Sequence, residues 1–475
     1  MRKLFWLLVL LVALPVAAQD AEVNIAWPPP VYVVAGVVEV RGTVNPPDLQ
    51  GYFLEAAPYD AAEPVWLPVT LLSSTPVVDG VLASWPTVVL PDGVYSLRLH
   101  VQLRSGETRF ATAGPLRVAN TLQAPAGESV VVPVAPLATP EPAPAEPTLV
   151  GRPNPVNQMP VPVGGHVTYF SDPTIALMQG AGMTWVKWQI PFLLNDTNLI
   201  NVARDRINWS HAAGFNVLLS ITGEVSELRD LNEDYYPRYA EFLGQIAALG
   251  PDAIEVWNEM NIDREWPSGR ISARAYVEML RQAHAAIKAA DPQVLVITGA
   301  PAPTGFFGGC SGAGCDDGDY YFNMANAGAA QYADCIGVHY NEGILPPQQT
   351  GGDPRDAYPT RYFKLMANRA AVPFRGSGLP LCFTELGYLS PEGYGPLPGN
   401  FAWATSTSVE EQATWLRDVV TLAAEYETAP IAMIIIFNVD FDRYDDEDPQ
   451  AGYAIIRPDG LCPACDALAS LLPSG

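Results

Sequence analysis

The sequence predicts a multidomain chain, with an N-terminal all-β sandwich, a Pro-rich linker and a C-terminal (β/α)8 TIM barrel. Three observations lead there. Short apolar segments punctuated by Pro, Gly, Asn and Asp fill residues 20–120. Proline then recurs every few residues through 121–160. Over 161–475 apolar strand-like runs alternate with helical periods.

Residues 1–19 read as an export signal. Arg2 and Lys3 precede an apolar run that ends in the small residues Val16, Ala17 and Ala18. The run is shorter than the ~20 residues of a membrane span. The expected location is therefore secreted or extracellular, including the cell surface, with no membrane insertion after cleavage. Six cysteines, Cys310, Cys315, Cys335, Cys382, Cys462 and Cys465, form an even set suited to an oxidising compartment. The close pairs Cys310/Cys315 and Cys462/Cys465 suggest local bridges, while Cys335 and Cys382 begin neighbouring strands and either pair or stay as buried thiols. The formal charge of −25, from 51 acidic and 26 basic side chains, argues against nucleic acid and anionic lipid as partners.

The segments "VVEVRGTV", "GYFLEAA", "WLPVTLL", "SWPTVVL", "PDGVYSLRLHVQL" and "GPLRVA" have strand length and almost no helical period, which predicts a sandwich of immunoglobulin-like character. Trp27, Trp66 and Trp85 are read as buried sandwich aromatics rather than a sugar-stacking surface. In the linker the hydrophobic periodicity disappears, so it is expected to act as a semi-rigid tether.

Eight strand candidates follow: "GGHVTYF", "TWVKWQI", "FNVLLSIT", "AIEVWNE", "VLVITGA", "CIGVHY", "LCFTELG" and "IAMIIIFNV". Amphipathic stretches such as "DPTIALMQGAG", "YPRYAEFLGQIAALG", "SARAYVEMLRQAHAAIKAAD" and "VEEQATWLRDVVTLAAEYE" separate them. Eight such units fit a closed barrel. No glycine-rich phosphate loop follows the first strand, so a dinucleotide fold is not expected.

In such a barrel the carboxyl ends of the strands surround the active site. Asn258 and Glu259 end the fourth strand candidate and Glu385 ends the seventh. Two carboxyl groups across one mouth can flank a single scissile glycosidic bond. One protonates the leaving oxygen and the other attacks the anomeric carbon. The donor must hold its proton near neutral pH, which partial desolvation and a neighbouring negative charge favour.

On "EVWNE" and "FTELG", residues 161–475 resemble clan A glycoside hydrolases, retaining (β/α)8 enzymes with catalytic glutamates after strands four and seven. The resemblance implies that Glu259 is the acid/base, Glu385 the nucleophile and Asn258 a partner of the sugar 2-hydroxyl. It also implies from "VHY" that Tyr340 contacts the nucleophile, with His339 beside it. Two positions depart from the family pattern: Phe437 and Asn438 stand where many members carry a tryptophan, and Lys187 where some carry an arginine. Glu255 shares a strand face with Glu259 and is expected to pair with Lys187 inside the barrel.

Further substrate contacts are expected from His166 on the first strand, and from Trp266, Trp188 and Phe437 as stacking aromatics, Trp266 first because its loop follows the acid/base directly. The acidic runs "CDDGD" and "DFDRYDDEDPQ" fit no EF-hand spacing and read as solvated loops. No metal or cofactor is expected, and the partner is a carbohydrate substrate met by a monomer. The residues thus point to a secreted retaining glycosidase cleaving β-linked glycans. A catalytically silent glycan-binding surface protein and a transglycosidase using the same covalent intermediate are the alternatives.

Overall fold

The computed structural model describes residues 22–119 and 149–473, apart from 29–31, 35, 60–65, 71, 88–89, 106–107, 195, 197 and 446. The expected export signal, 1–19, and residues 121–148 of the expected linker lie outside the described residues. The chain divides into two compact units, Met1–Glu141 and Pro142–Gly475.

The first unit carries β1 (Val23–Trp27), β2 (Tyr32–Val34), β3 (Val37–Val44), β4 (Leu49–Pro58), β5 (Leu67–Pro68), β6 (Val77–Pro86), β7 (Gly93–Leu103) and β8 (Thr108–Val118). One sheet has the order β1-β3-β6 and the other β2-β8-β7-β4-β5; all pairings are antiparallel except β2 with β8. Along β7, Tyr95, Leu97, Leu99, Val101 and Leu103 are buried while the residues between them are partly exposed. That period of two places one face of the strand in a core to which both sheets contribute. Of the three tryptophans only Trp85 is buried. Trp27 is partly exposed against Tyr32, ring centroids 4.3 Å apart, and Trp66 is partly exposed beneath the Arg98 guanidinium at 3.9 Å. The expected burial therefore fails for these two.

The second unit begins inside the expected linker. Residues 149–160 are ordered against the barrel: Val150 N–H donates to Asn208, and Arg152 reaches Asp291 at 2.7 Å and the Pro251 carbonyl at 2.6 Å. Charge pairing turns the end of that stretch into part of the domain.

Eight parallel strands follow: β9 (Val163–His166), β10 (Trp185–Phe192), β11 (Asn216–Gly223), β12 (Ala253–Val256), β13 (Leu295–Thr298), β14 (Ile336–Tyr340), β15 (Leu381–Leu386) and β16 (Ile431–Ile436). They pair in chain order, β16 returns to β9, and the Ile297–Cys335 bridge with the Thr298 N–H to Cys335 carbonyl bond closes the ring between β13 and β14. All eight expected strands are present. The four expected helices are α1 (Asp172–Gly180), α4 (Tyr235–Ala247), α5 (Ala273–Ala290) and α8 (Val409–Ala424); α2 (Leu199–Ala212), α3 (Val225–Leu231), α6 (Asp317–Asn326), α7 (Phe363–Ala371) and α9 (Pro463–Ala469) complete the set. Ser171, Ser272 and Ser408 cap α1, α5 and α8, the last in a reciprocal box with Glu411.

Trp185, Leu218, Ala253, Ile297, Cys335, Cys382, Met433 and Ile435 fill the lower barrel interior. Two residues further along four of these strands come Lys187, Ser220, Glu255 and Thr384, all fully buried. The same period of two that stacks apolar side chains at the base thus delivers a polar layer above it. The six cysteines form three disulfides, Cys310–Cys315, Cys335–Cys382 and Cys462–Cys465. Among the described residues no helix is long and apolar enough to cross a membrane.

Candidate active site

The polar layer is built around Lys187 on β10. Its ammonium lies 3.1 Å from Glu255 on β12 and 3.1 Å from Glu385 Oε1 on β15, and it donates to the Thr384 carbonyl at 3.1 Å. The expected Lys187–Glu255 pair is therefore present, with both side chains fully buried. Thr384 Oγ1 donates to Glu255 Oε1 at 2.6 Å. A buried charge is tolerated only when paired and hydrogen-bonded, which this cluster achieves.

Glu385 is the penultimate residue of its strand, where the ladder to β16 loses register between Phe383 and Leu386. That irregularity lets Thr384 and Glu385, adjacent in sequence, both meet the interior cluster. Asn341 donates to Glu385 Oε2 at 3.2 Å, His339 Nδ1 lies 3.7 Å from the same oxygen, and His166 Nδ1 lies 3.8 Å from Oε1. Burial alone would raise the Glu385 pKa. The charges of His339 and Lys187 and the Lys187 hydrogen bond outweigh it and bring the carboxyl down to about 2. His166 does not share that burden at neutral pH: burial, then the Lys187 charge, lowers its own pKa to about 3.

Glu259 stands past the end of β12 on a backbone that enters the left-handed region at Trp257 (φ 73°) and again at Glu259 (φ 41°). Such conformations cost about 1–3 kcal/mol each in non-glycine residues and persist only where neighbours enforce them. Here Trp257 N–H donates to the Tyr239 hydroxyl and the Ile221 carbonyl, the Tyr276 hydroxyl donates to the Val256 carbonyl, and Glu259 N–H donates to the Ala300 carbonyl. Buried Asn261 ties the following loop to Ala302 and Cys315 through both ends of its amide. The Glu259 carboxylate then meets His339 Nδ1 at 3.2 Å through Oε1 and Arg264 Nη2 at 2.6 Å through Oε2.

One imidazole nitrogen, His339 Nδ1, thus lies 3.2 Å from Glu259 and 3.7 Å from Glu385, so those two carboxylate oxygens are at most about 6.9 Å apart and closer for any bent arrangement. Burial would lower the His339 pKa, but the Glu385 and Glu259 carboxylates prevail and raise it. Among the described residues Asn258 Oδ1, His166 Nδ1 and His339 Nε2 are buried with no hydrogen-bond partner, polar atoms left over at the same end of the barrel.

The structure brings Asn258, Glu259, His339, Glu385, His166 and Phe437 to one region. Phe437 is partly exposed, its ring 5.8 Å from His166 and 5.4 Å from Tyr453. Three expected contacts are not there. The Tyr340 hydroxyl donates to the Arg361 carbonyl at 3.2 Å, because strand alternation turns it away when His339 faces inward. Trp188 is displaced for the same reason by Lys187: it is 1% exposed, donating to Ser210 and packed on Phe170 and Trp209. Trp266 is 2% exposed, edge-on to Trp257 at 5.3 Å with its indole N–H on the Arg270 carbonyl, since its loop folds back on the barrel. Neither tryptophan offers a free face for stacking.

Sequence reasoning missed Asn341, Asn261 and Arg264. Asn341 directly follows "VHY" and Arg264 lies two residues before Trp266 in "NIDREWPSG", so position in a rim loop was their available signal. The "CDDGD" run is also not solvated as expected. Asp316 accepts from Phe307 and Gly309 N–H groups, and buried Asp317 pairs with Arg369 at 2.9 Å.

No protein-family model and no curated protein matches the chain. Solved structures that resemble it include a glycoside hydrolase family 5 enzyme from Prevotella bryantii, at 14% identity and TM-score 0.44, covering 68% of this chain and 99% of that one. A fungal beta-1,4-galactanase structure has 13% identity and TM-score 0.43 over 63% and 91% of the two chains. The endo-1,4-beta-mannanase from Rhizomucor miehei has 12% identity and TM-score 0.43 over 66% and 94%. Likenesses this distant carry no argument about what this chain does.

Proposed function

We propose that the second unit is a retaining glycosidase acting on β-linked glycans, with Glu385 as nucleophile and Glu259 as acid/base. The observation that carries the reading is the pair of carboxylates on β15 and just past β12, both touching one imidazole, with only Glu385 held ionised by a buried lysine. Retaining enzymes place their carboxyl groups about 5–5.5 Å apart and inverting ones about 6.5–9.5 Å; the facing oxygens here, at most about 6.9 Å apart through His339, are compatible with the retaining spacing.

In the first step the Glu385 carboxylate attacks the anomeric carbon while Glu259 gives its proton to the leaving oxygen, leaving a glycosyl ester on Glu385. Esterification removes the Glu385 charge. Glu259, now a carboxylate, takes a proton from water as that water attacks the ester, and free Glu385 returns. Lys187 and Asn341 hold the attacking carboxylate in place, and Asn258, with its unpartnered Oδ1, is the proposed contact for the sugar 2-hydroxyl. Phe437 is the aromatic that remains for the sugar face. The export signal and the sandwich, read as immunoglobulin-like, belong to the same proposal: a module displayed with the enzyme outside the cell, where the three disulfides persist.

A binding-only reading has one observation in its favour, the engagement of both Glu259 oxygens by protein groups. One experiment separates the two. The wild type and Glu385→Gln are incubated with β-linked chromogenic glycosides and with xylan, mannan, galactan and glucan, and products are read by mass spectrometry. Sugar release by the wild type and a loss of at least about 10³-fold in Glu385→Gln are expected. Glycan binding without release by either protein would leave the binding module standing.

A further inference from the structure

Both oxygens of the proposed proton donor are occupied, but by unequal partners. His339, on Oε1, is fully buried; Arg264, on Oε2, has a side chain 71% exposed. A guanidinium has only N–H donors. It cannot face an oxygen that is itself donating a proton, nor share that oxygen's approach with a glycosidic oxygen. Arg264 therefore has to leave Oε2 before protonation of a leaving group can occur there. A second resting place is already within reach, since its Nε lies 3.2 Å from Glu265 Oε1. The backbone need not move with it. Ile262 N–H is held by the Glu259 carbonyl, Asp263 N–H by Ala313, and Trp266 N–H by Ile262, so the turn stays fixed while the side chain swings.

We infer that Arg264 is a displaceable latch over Glu259, closed in the free protein and moved onto Glu265 alone when a neutral glycan enters. The inference rests on the reading of Glu259 as proton donor. Arg264 is a positioning residue: it sets how much of the binding energy goes to opening the site. The guanidinium is 71% exposed although the Glu259 side chain is only 11% exposed, so water reaches the pair and its hold is nearer that of a surface pair, about 0.2–1 kcal/mol, than that of a buried one. That corresponds to about 1.5- to 5-fold in apparent affinity, and salt weakens it.

The test uses the full-length protein and an unactivated, neutral β-linked oligosaccharide, read as KM and kcat at low and high sodium chloride, with calorimetric binding of an uncleavable thio-linked analogue alongside. Arg264→Ala is expected to lower KM and tighten analogue binding by about 1.5- to 5-fold at low salt. Added salt should bring the wild type toward the variant and leave the variant unmoved. Glu265→Gln removes the resting place and is expected to raise KM, so it reports even if Arg264→Ala does not fold. A raised KM in Arg264→Ala would make the arginine a substrate contact and overturn the latch, as would unchanged KM and analogue affinity in both variants. Glu259→Ala on the same oligosaccharide isolates the underlying reading: undiminished hydrolysis there removes Glu259 as donor, whereas lost hydrolysis with an unresponsive Arg264→Ala removes only the latch.

Discussion

Lys187 has no contact with solvent and sits between two carboxylates, each 3.1 Å from its ammonium. Replacing it with methionine would leave Glu255 and Glu385 buried beside each other without their shared cation. The expected loss is about 3–5 kcal/mol in urea unfolding, with the acid limb of kcat/KM moving to higher pH as Glu385 loses a neighbouring cation and its hydrogen bond. In the wild type the sign is opposite for different groups. Glu385, lowered to about 2, contributes stability that is present above its unfolded value, near 4.3, and disappears as pH falls toward its folded value. Asp317, raised to about 6 by burial against the pull of Arg369, favours the fold at low pH and loses that contribution as pH climbs from about 4 to about 6. His339, raised above 6.5, contributes most below that value and loses it as pH rises through its folded pKa. As pH falls from about 6 to about 4, Asp317 therefore adds stability while His166, lowered to about 3, loses it, and below about 4 the Glu385 loss joins that of His166, so urea midpoints should decline below about 4. A decline completed above pH 4 would contradict the proposed cluster.

Elements position these groups through contacts that no single segment reveals. The end of β11 is Gly223, where an added Cβ would lie 2.1 Å from the Trp257 ring and 2.5 Å from the Tyr235 hydroxyl. The ring rests on that glycine and in turn fixes the chain two residues before Glu259. Gly223→Ala is expected to lower kcat/KM by about 10- to 100-fold, since a displacement near 1 Å at the reacting groups costs about that much; overpacking of this kind also costs about 1–3 kcal/mol, so the Tm should fall as well. Retained activity would show that Glu259 is placed independently of Trp257. At this scale the strands were legible because each is a short apolar run closed by Gly, Pro or a polar residue. Which of two adjacent residues faces inward was less so. Trp188 and Tyr340 sit beside Lys187 and His339, and a one-residue change of face exchanges a buried packing aromatic for a site residue.

On the scale of the whole molecule, the Cys335–Cys382 disulfide joins the starts of β14 and β15 across a sequence separation of 47. In the chain-entropy account a loop of that size is worth about 4 kcal/mol. The Cys335→Ser, Cys382→Ser double variant is expected to lose stability of that order and the wild type to melt earlier in reductant. Equal melting with and without reductant would show that this bridge does not constrain the unfolded chain.

Sequence periodicity alone determined the eight-strand barrel, the antiparallel unit before it and the two glutamates at strand ends, because alternation and turn chemistry are local properties repeated often enough to be read. Tertiary structure alone decided that Arg264 lies on Glu259, that Asn341 holds Glu385 and that Trp266 is buried. Those outcomes depend on where rim loops fold back and on a register break along β15 against both of its neighbours. Loop closure brings together residues with no shared period, so nothing along the chain announces them.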